Sequence, residues 1–511
     1  MARAGVNAVG RVAHVLCGGE PEFIREGEGG KVRRRHMIMI GKRFFGVWLL
    51  IMLLWSVPMG QAGEAAGHFA VPLQLRGRMV LVGSDGAELT AGREYSSIES
   101  IANGEVAPEE ELFAARRLDD EQGRRVLLMD SRGNELSESV YDYLIQENGW
   151  IRYQQNGLQG AMDREGNDII ACQYTMLVPN GEGGYLAIDG VPYDDQPDGV
   201  YYVDVQGAQM PTGALVLSGL GEFSEGLCTA TSAQSGRVGY LDAKGNWAIS
   251  AQFEYGGLFR NGRAEVCIES GYGVIDAQGN WLLTPKYTFV STGFGDGNII
   301  IASQDDREVL MIDPRTYRTN VTFKGDPIYF RWYYDRNYVV LYRNDKVELV
   351  DEEGIVRMET GADGNFETHY QMGNRAIMRS GVWGEVNAYL VDADTGEELA
   401  GPYREMTLLM IDELGEPYFA FSDFEIIREE EADGYTEIFE VPYTRRGGLI
   451  DGDGQFVIPM GQFMELQAAG HGLLYARTLY DIGLVDLSGN WIACYSNEDP
   501  DLVEIRKLMG E

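Results

Sequence analysis

Gly239-Tyr240-Leu241-Asp242-Ala243-Lys244-Gly245 recurs as Gly273-Val274-Ile275-Asp276-Ala277-Gln278-Gly279 and as Gly483-Leu484-Val485-Asp486-Leu487-Ser488-Gly489. Apolar residues run into an Asp, and Asp-x-x-Gly follows. The Asp side chain can accept a backbone N–H two residues on, and Gly takes positive φ without a Cβ penalty, so each copy reads as a strand ending in a tight turn. Taking the Asp as anchor, looser copies fall at Asp130, Asp163, Asp204, Asp313, Asp351, Asp392 and Asp451. A weak copy precedes them, with Gly83 in the Asp slot and Gly86 closing the turn. The spacing is one of 33 to 41 residues, except for 59 between Asp392 and Asp451. Such a period signals tandem architecture before it signals chemistry.

Other slots recur with the anchor. Five residues past the Asp stand Trp247, Trp281, Trp491 and once Phe456; eleven past it stand Tyr141, Tyr174, Phe253, Tyr287 and Tyr403. An apolar run between them, as in Trp281-Leu282-Leu283, makes a second strand and hence a hairpin. A third strand precedes it, as in Gly262-Arg263-Ala264-Glu265-Val266-Cys267. The expectation is an all-β chain of tandem three-stranded antiparallel meanders. No unit can bury its own face, so neighbours must stack. A propeller-like closure is the first choice at this period, with two rings or an open curved array as alternatives. The ring of a fixed-slot Trp between apolar residues is expected in the core.

These residues resemble the bacterial WG-repeat (KWG-type) family, whose unit runs roughly W-G-[YL]-I-D-x-x-G-x-W-V-I-P-x-x-Y…F-x-x-G-x-A. The stretches from Val238-Gly239 to Phe253 and from Tyr272-Gly273 to Tyr287 fit it best, and Ile458-Pro459 matches the I-P step. The first Trp is replaced by Val238, Tyr272 or Ile482, while Trp383-Gly384 keeps the dipeptide. The resemblance covers residues 79–493. It implies a β-repeat architecture and no particular activity.

The chain has 511 residues, 66 of them Gly, about twice ordinary usage. Spread over turn positions, that Gly indicates turns and not disorder. The expected organisation is an over-called or extended N-terminus over 1–36, a signal peptide over 37–62, a linker over 63–78, the array of about eleven units over 79–495, and a tail over 496–511. The signal reading rests on Lys31, Arg33, Arg34, Arg35, Lys42 and Arg43 before an apolar run over 44–57, then small residues up to Ala62, the expected cleavage position. The run is too short for the roughly 20 residues that span a bilayer. Secretion or the cell surface is the expected location; an uncleaved segment would instead anchor the protein to the membrane.

Net charge is −37 for the chain. Residues 63–511 carry 33 basic and 75 acidic side chains, near −42. Such a field repels nucleic acid and anionic lipid and suits a solvated surface, a cation or a basic partner. Cys172, Cys228, Cys267 and Cys494 are too few for a disulfide framework over an array this long. Cys228 and Cys267 lie in neighbouring units; isolated buried thiols are the expected outcome.

Sequence motifs for chemistry are lacking. His68, His369 and His471 are widely spaced, with no Cys-x-x-Cys for zinc. Asp451-Gly452-Asp453-Gly454 and Asp392-Ala393-Asp394-Thr395-Gly396 look like half of a calcium loop, but Gln462 and Tyr403 stand where its last acid belongs. Calcium is the alternative there and the ordinary repeat turn is expected. There is no Gly-x-Ser-x-Gly elbow, and Gly293-Phe294-Gly295-Asp296-Gly297 reads as a loop between strands. No catalytic or cofactor-binding residue is nominated.

What remains is binding. Trp332, Tyr333 and Tyr334, with Trp383, are the aromatic residues outside the fixed slots that are nominated as a ligand surface. The excess between Asp392 and Asp451 is expected to project as a loop or extended hairpin over 425–437. The functional expectation is an exported, acidic, non-catalytic binding or scaffold protein for a protein or cell-envelope glycan, without nucleic-acid partners. A glycan hydrolase or lyase, and the ectodomain of a membrane-anchored sensor, are the alternatives.

Overall fold

The computed structural model describes residues 68–507 apart from 104–105, 121–124, 148, 190–197, 295–298, 306, 326–327, 332–337, 370–371, 382–385, 413, 431–435, 500–501 and 504–505. The described residues lie within one compact unit. The described chain is all-β: a succession of small antiparallel sheets in which strands pair in chain order.

Each meander anchored at an Asp is present, and a further strand precedes it. The unit anchored at Asp276 is Tyr255–Gly256, Arg263–Ile268, Gly271–Asp276 and Trp281–Tyr287; that at Asp486 is Glu465–Gly470, Leu473–Arg477, Asp481–Val485 and Trp491–Ser496. The added strand is short or built from the linker after the previous unit, which hides it in sequence. The units at Asp204 and Asp242 merge because one strand, Gln209–Ser224, serves both.

The turn is the expected one, with one refinement. Asp276 Oδ1 accepts the N–H groups of Gln278 and Asn280, 3.0 and 2.8 Å away, and Oδ2 accepts Asn280 Nδ2 at 3.0 Å. The Asn four residues past the Asp does the same at Asn134, Asn167, Asn246 and Asn490. Gly279 closes the turn at φ +82°. Gly273 is required for a different reason: a Cβ there would lie 2.5 Å from the Leu283 carbonyl oxygen across the hairpin.

Each core lies between units. Tyr240, Ile249 and Phe253 of one unit pack with Phe259, Ala264, Val266 and Ile275 of the next. Val274, Leu283 and Tyr287 then pack with Val290, Ile300, Ala302 and Ile312 of the unit after. Polar ties repeat the pattern: Glu225 accepts from the Asn261 and Gly262 N–H groups, and Arg375 donates to Asp453 of the following unit at 2.8 Å.

The array starts earlier than expected. Ala70–Leu75 lies inside the stretch read as a linker and pairs with Arg78–Gly83. Its turn at Gly77 lacks the Asp, so the motif does not mark it. This hairpin packs on the last sheet: Val71, Leu73, Val80 and Val82 share a cluster with Leu473, Leu484 and Ala493. The Tyr475 hydroxyl donates to the Pro72 carbonyl, Phe69 stacks on His471 at 5.0 Å, and His471 Nε2 lies 2.9 Å from Glu111 Oε2. The two ends of the array therefore meet.

The long spacing before Asp451 holds a hairpin, Ile426–Glu430 with Thr436–Glu440, inserted between Pro417–Asp423 and Arg446–Asp451. Those two strands still pair with each other. Residues 108–110 form one 3-10 turn ahead of the strand Leu112–Arg117. The four described Cys are free; Cys228 is buried, but Cys494 is exposed because it lies on the outer strand of the last sheet, which departs from the buried thiols expected.

Candidate functional site

Trp332, Tyr333, Tyr334 and Trp383, and the expected cleavage position Ala62, lie outside the described residues. The carboxylates of Asp451 and Asp392 point into their own turns: Asp451 Oδ1 accepts the N–H groups of Asp453 and Gln455, and Asp392 Oδ1 those of Asp394 and Thr395. Backbone donors thus engage Oδ1 of both, and the Asn374 and Arg375 side chains donate to Asp392 Oδ2. Among the described residues no group of three or more His, Cys, Asp or Glu is placed to hold a metal.

The fixed aromatic slots explain where a site opens. Trp281 is 39% exposed and meets Phe253 of the preceding unit edge to face, with centroids 6.1 Å apart. Trp491 meets Phe463 in the same way at 5.5 Å. In the unit at Asp451, Phe456 packs on Phe421, which stacks on Tyr403 of the preceding unit at 4.1 Å. Trp281 is therefore not interior core, the place its slot predicts, whereas Trp247 and Trp491 are partly buried against core clusters. The rings lie on the outer strand, where side chains alternate between seam and solvent, and they seal the seam between neighbours.

One seam is built from the same slots with different chemistry. Between the units at Asp130 and Asp163, Tyr141 takes the place of Tyr403. Tyr153 takes that of Phe421, both residues standing opposite the first Gly of their motif. Asp168 occupies the slot of Trp281, Trp491 and Phe456. Ser137, paired with Leu128, stands where Ile249 and Ile458 pair with Tyr240 and Leu449. Tyr141 thus keeps the Tyr of its slot, while a Phe, an Ile and a Trp or Phe of the other seams have become a phenol, a hydroxyl and a carboxylate. Small side chains leave space, and a cavity of about 330 Å³ results, lined by these four with Glu138, Ser139, Gln155 and Gly166.

The cavity is organised. Tyr141 and Tyr153 meet edge to face at 5.4 Å. The Tyr153 hydroxyl donates to Asp168 Oδ1 at 2.6 Å, and Gln155 Nε2 donates to Ser139 Oγ at 3.1 Å. Ser137 Oγ is sealed from solvent without a well-formed hydrogen bond. Burial, and then the Asp168 carboxylate, push the Tyr153 phenol far above its usual range. Burial raises Tyr141 and the adjacent Cys172 thiol as well. All three stay protonated at neutral pH, which makes the phenols donors and leaves the thiol a poor nucleophile. No Lys or Arg lines the cavity. The arrangement can exchange hydrogen bonds with a ligand; it presents no activated nucleophile.

The sequence reading expected a site where the period breaks, and placed it near Trp332 or in the long unit. It missed this seam because the break is a change of residue within intact spacing. Asp168 alone does not mark it, since Glu135, Gln209, Arg318 and Glu397 also stand five past their Asp.

Fold and seam together define a tandem β-repeat protein with an open polar joint between two of its units. Residues 239–271 and 272–307 each match the family described as "WG containing repeat", so this stretch consists of WG repeats. No curated protein matches the chain. Similar solved structures include a eukaryotic initiation factor (9% identity over 85% of this chain and 97% of that one, TM-score 0.38). BamB from Moraxella catarrhalis is 12% identical over 58% and 96%, with a TM-score of 0.27. Sqt1 from Saccharomyces cerevisiae is 12% identical over 68% and 96%, also at 0.27. At these scores the likenesses bear on neither ligand nor activity.

Proposed function

We propose that this is a non-catalytic binding or scaffold protein, exported from the cell, that recognises a protein or cell-envelope component. The observation that carries it is the polar seam beside Asp168. Where the seams at Trp281, Phe456 and Trp491 are closed by aromatic rings, this seam has an ordered set of hydrogen-bonding groups around a cavity. The WG repeats at 239–307 support the repeat-scaffold part of the reading. The basic and apolar order of residues 31–57 supports export. The departures from the repeat pattern elsewhere are read as divergence from one ancestral unit of the bacterial KWG type.

Pull-down from cell-envelope fractions, with the chain immobilised, tests the reading. Retention of a defined envelope component is expected. Polysaccharide turnover by the same preparation would replace this reading with a glycan-active enzyme. Retention of nothing from envelope protein or glycan fractions would remove it.

A further inference from the structure

We infer that the seam between the units at Asp130 and Asp163 is a binding site for one or two neutral sugar residues; this deepens the proposal above and rests on it. The argument begins from volume. At about 330 Å³ the cavity lies at the low end of the roughly 300–1,000 Å³ of ligand pockets, which suits a small ring and not a folded chain.

Charge narrows the class. Asp168 and Glu138 are the ionisable carboxylates of the lining; Arg125 pairs with Glu138 at 3.2 Å, and the lining itself holds no Lys or Arg. A phosphate, sulfate or uronic acid would be repelled and left without a charged partner. The hydrogen-bonding groups narrow it further. Sugar hydroxyls are donors and acceptors at once. Asp168 retains Oδ2 as an acceptor, since Tyr153 uses Oδ1. Protonated phenols, Ser137 Oγ and the Gln155 amide complete a mixed set, so a ring with several hydroxyls satisfies more of it than an amine or an aliphatic ligand. Ser137 places a hydroxyl, beside that of Tyr141, where other seams hold a buried Ile.

The occupied seam would also tie two units together, as the Trp281–Phe253 contact ties its own pair.

The test is isothermal titration of the full chain with glucose, galactose, N-acetylglucosamine and their disaccharides, with glucuronic acid and inorganic phosphate as controls. Saturable binding of at least one neutral sugar is expected, and none of either anion. Asp168→Trp, which restores the sealing ring, and Ser137→Ile should each weaken binding at least tenfold; Trp281→Ala, in a sealed seam, should leave it unchanged. Circular dichroism checks folding, and if Asp168→Trp does not fold, Tyr153→Phe must weaken binding instead. Equal binding of glucuronate, or binding indifferent to both seam variants, would overturn the inference. Retention of an envelope protein that survives Asp168→Trp would overturn it too, while leaving the proposed binding function intact.

Discussion

At the scale of single residues, the turn Asp is the unit of stability that repeats most often. Its carboxylate accepts two backbone N–H groups, and in five units an Asn side chain as well. Hydrogen bonds hold Asp163 below the usual carboxylate range, and they outweigh the opposing effect of partial burial at Asp276 and Asp392. A folded-state value below the unfolded one means stability that is fully present above the unfolded value, about 3.9, and lost as pH falls through the folded value. Asp276→Ala should therefore lower stability by about 1 kcal/mol at pH 7, and by less near pH 3, when thermal melts are compared across pH. His369 runs the other way in charge but not in slope. Burial lowers its value, so the folded state resists protonation and stability falls as pH drops below about 6.5. His369→Gln should flatten that part of the melting profile.

At the scale of elements, the inserted hairpin is separable from its sheet. Pro417–Asp423 and Arg446–Asp451 pair through six register positions without it. The tie between hairpin and sheet is Arg445, which donates to Glu440 on the hairpin side and to Glu405 and Ser422 on the sheet side. Replacing residues 426–440 with an Asn-Gly turn should leave a folded protein whose melting temperature changes by only a few degrees. Loss of cooperative melting would show that the hairpin is part of the core. The outer strands carry the contrasting lesson. Their spacing is legible in every unit, but the partners of Trp281 and Trp491 belong to the preceding unit. Trp281 looked like interior core from its apolar neighbours, and only the packing shows it as a lid on the seam.

At the scale of the whole molecule, the meeting of the ends removes the two bare faces that a linear array would leave. Tandem repeats are stabilised by nearest-neighbour contacts, and a terminal unit normally has one neighbour. Here the first hairpin and the last sheet each gain a second, through Leu473, Leu484 and Ala493. Leu484 is fully buried, and Leu484→Ala should cost about 2–5 kcal/mol. Deleting residues 68–85 should do more: it exposes that cluster at once, and denaturant unfolding followed by fluorescence and circular dichroism should change from one transition to a broader or split one. A single unchanged transition would show that the contact between the ends contributes little.

The sequence by itself determined the strand, the turn and the period, because each depends on residues within about a dozen positions of one another. Asp-x-x-Gly makes its turn wherever it stands, and alternating apolar residues make strands that must find neighbours. The extra strand of each unit and the hairpin at Ala70 escaped it, since neither carries the Asp that marks the others. Tertiary structure alone decided which slot residues face each other across a seam, that the two ends of the array touch, and that one joint stands open. Those outcomes rest on contacts between units, where Asp168, Tyr153, Tyr141 and Ser137 become a site only when two sheets are laid together.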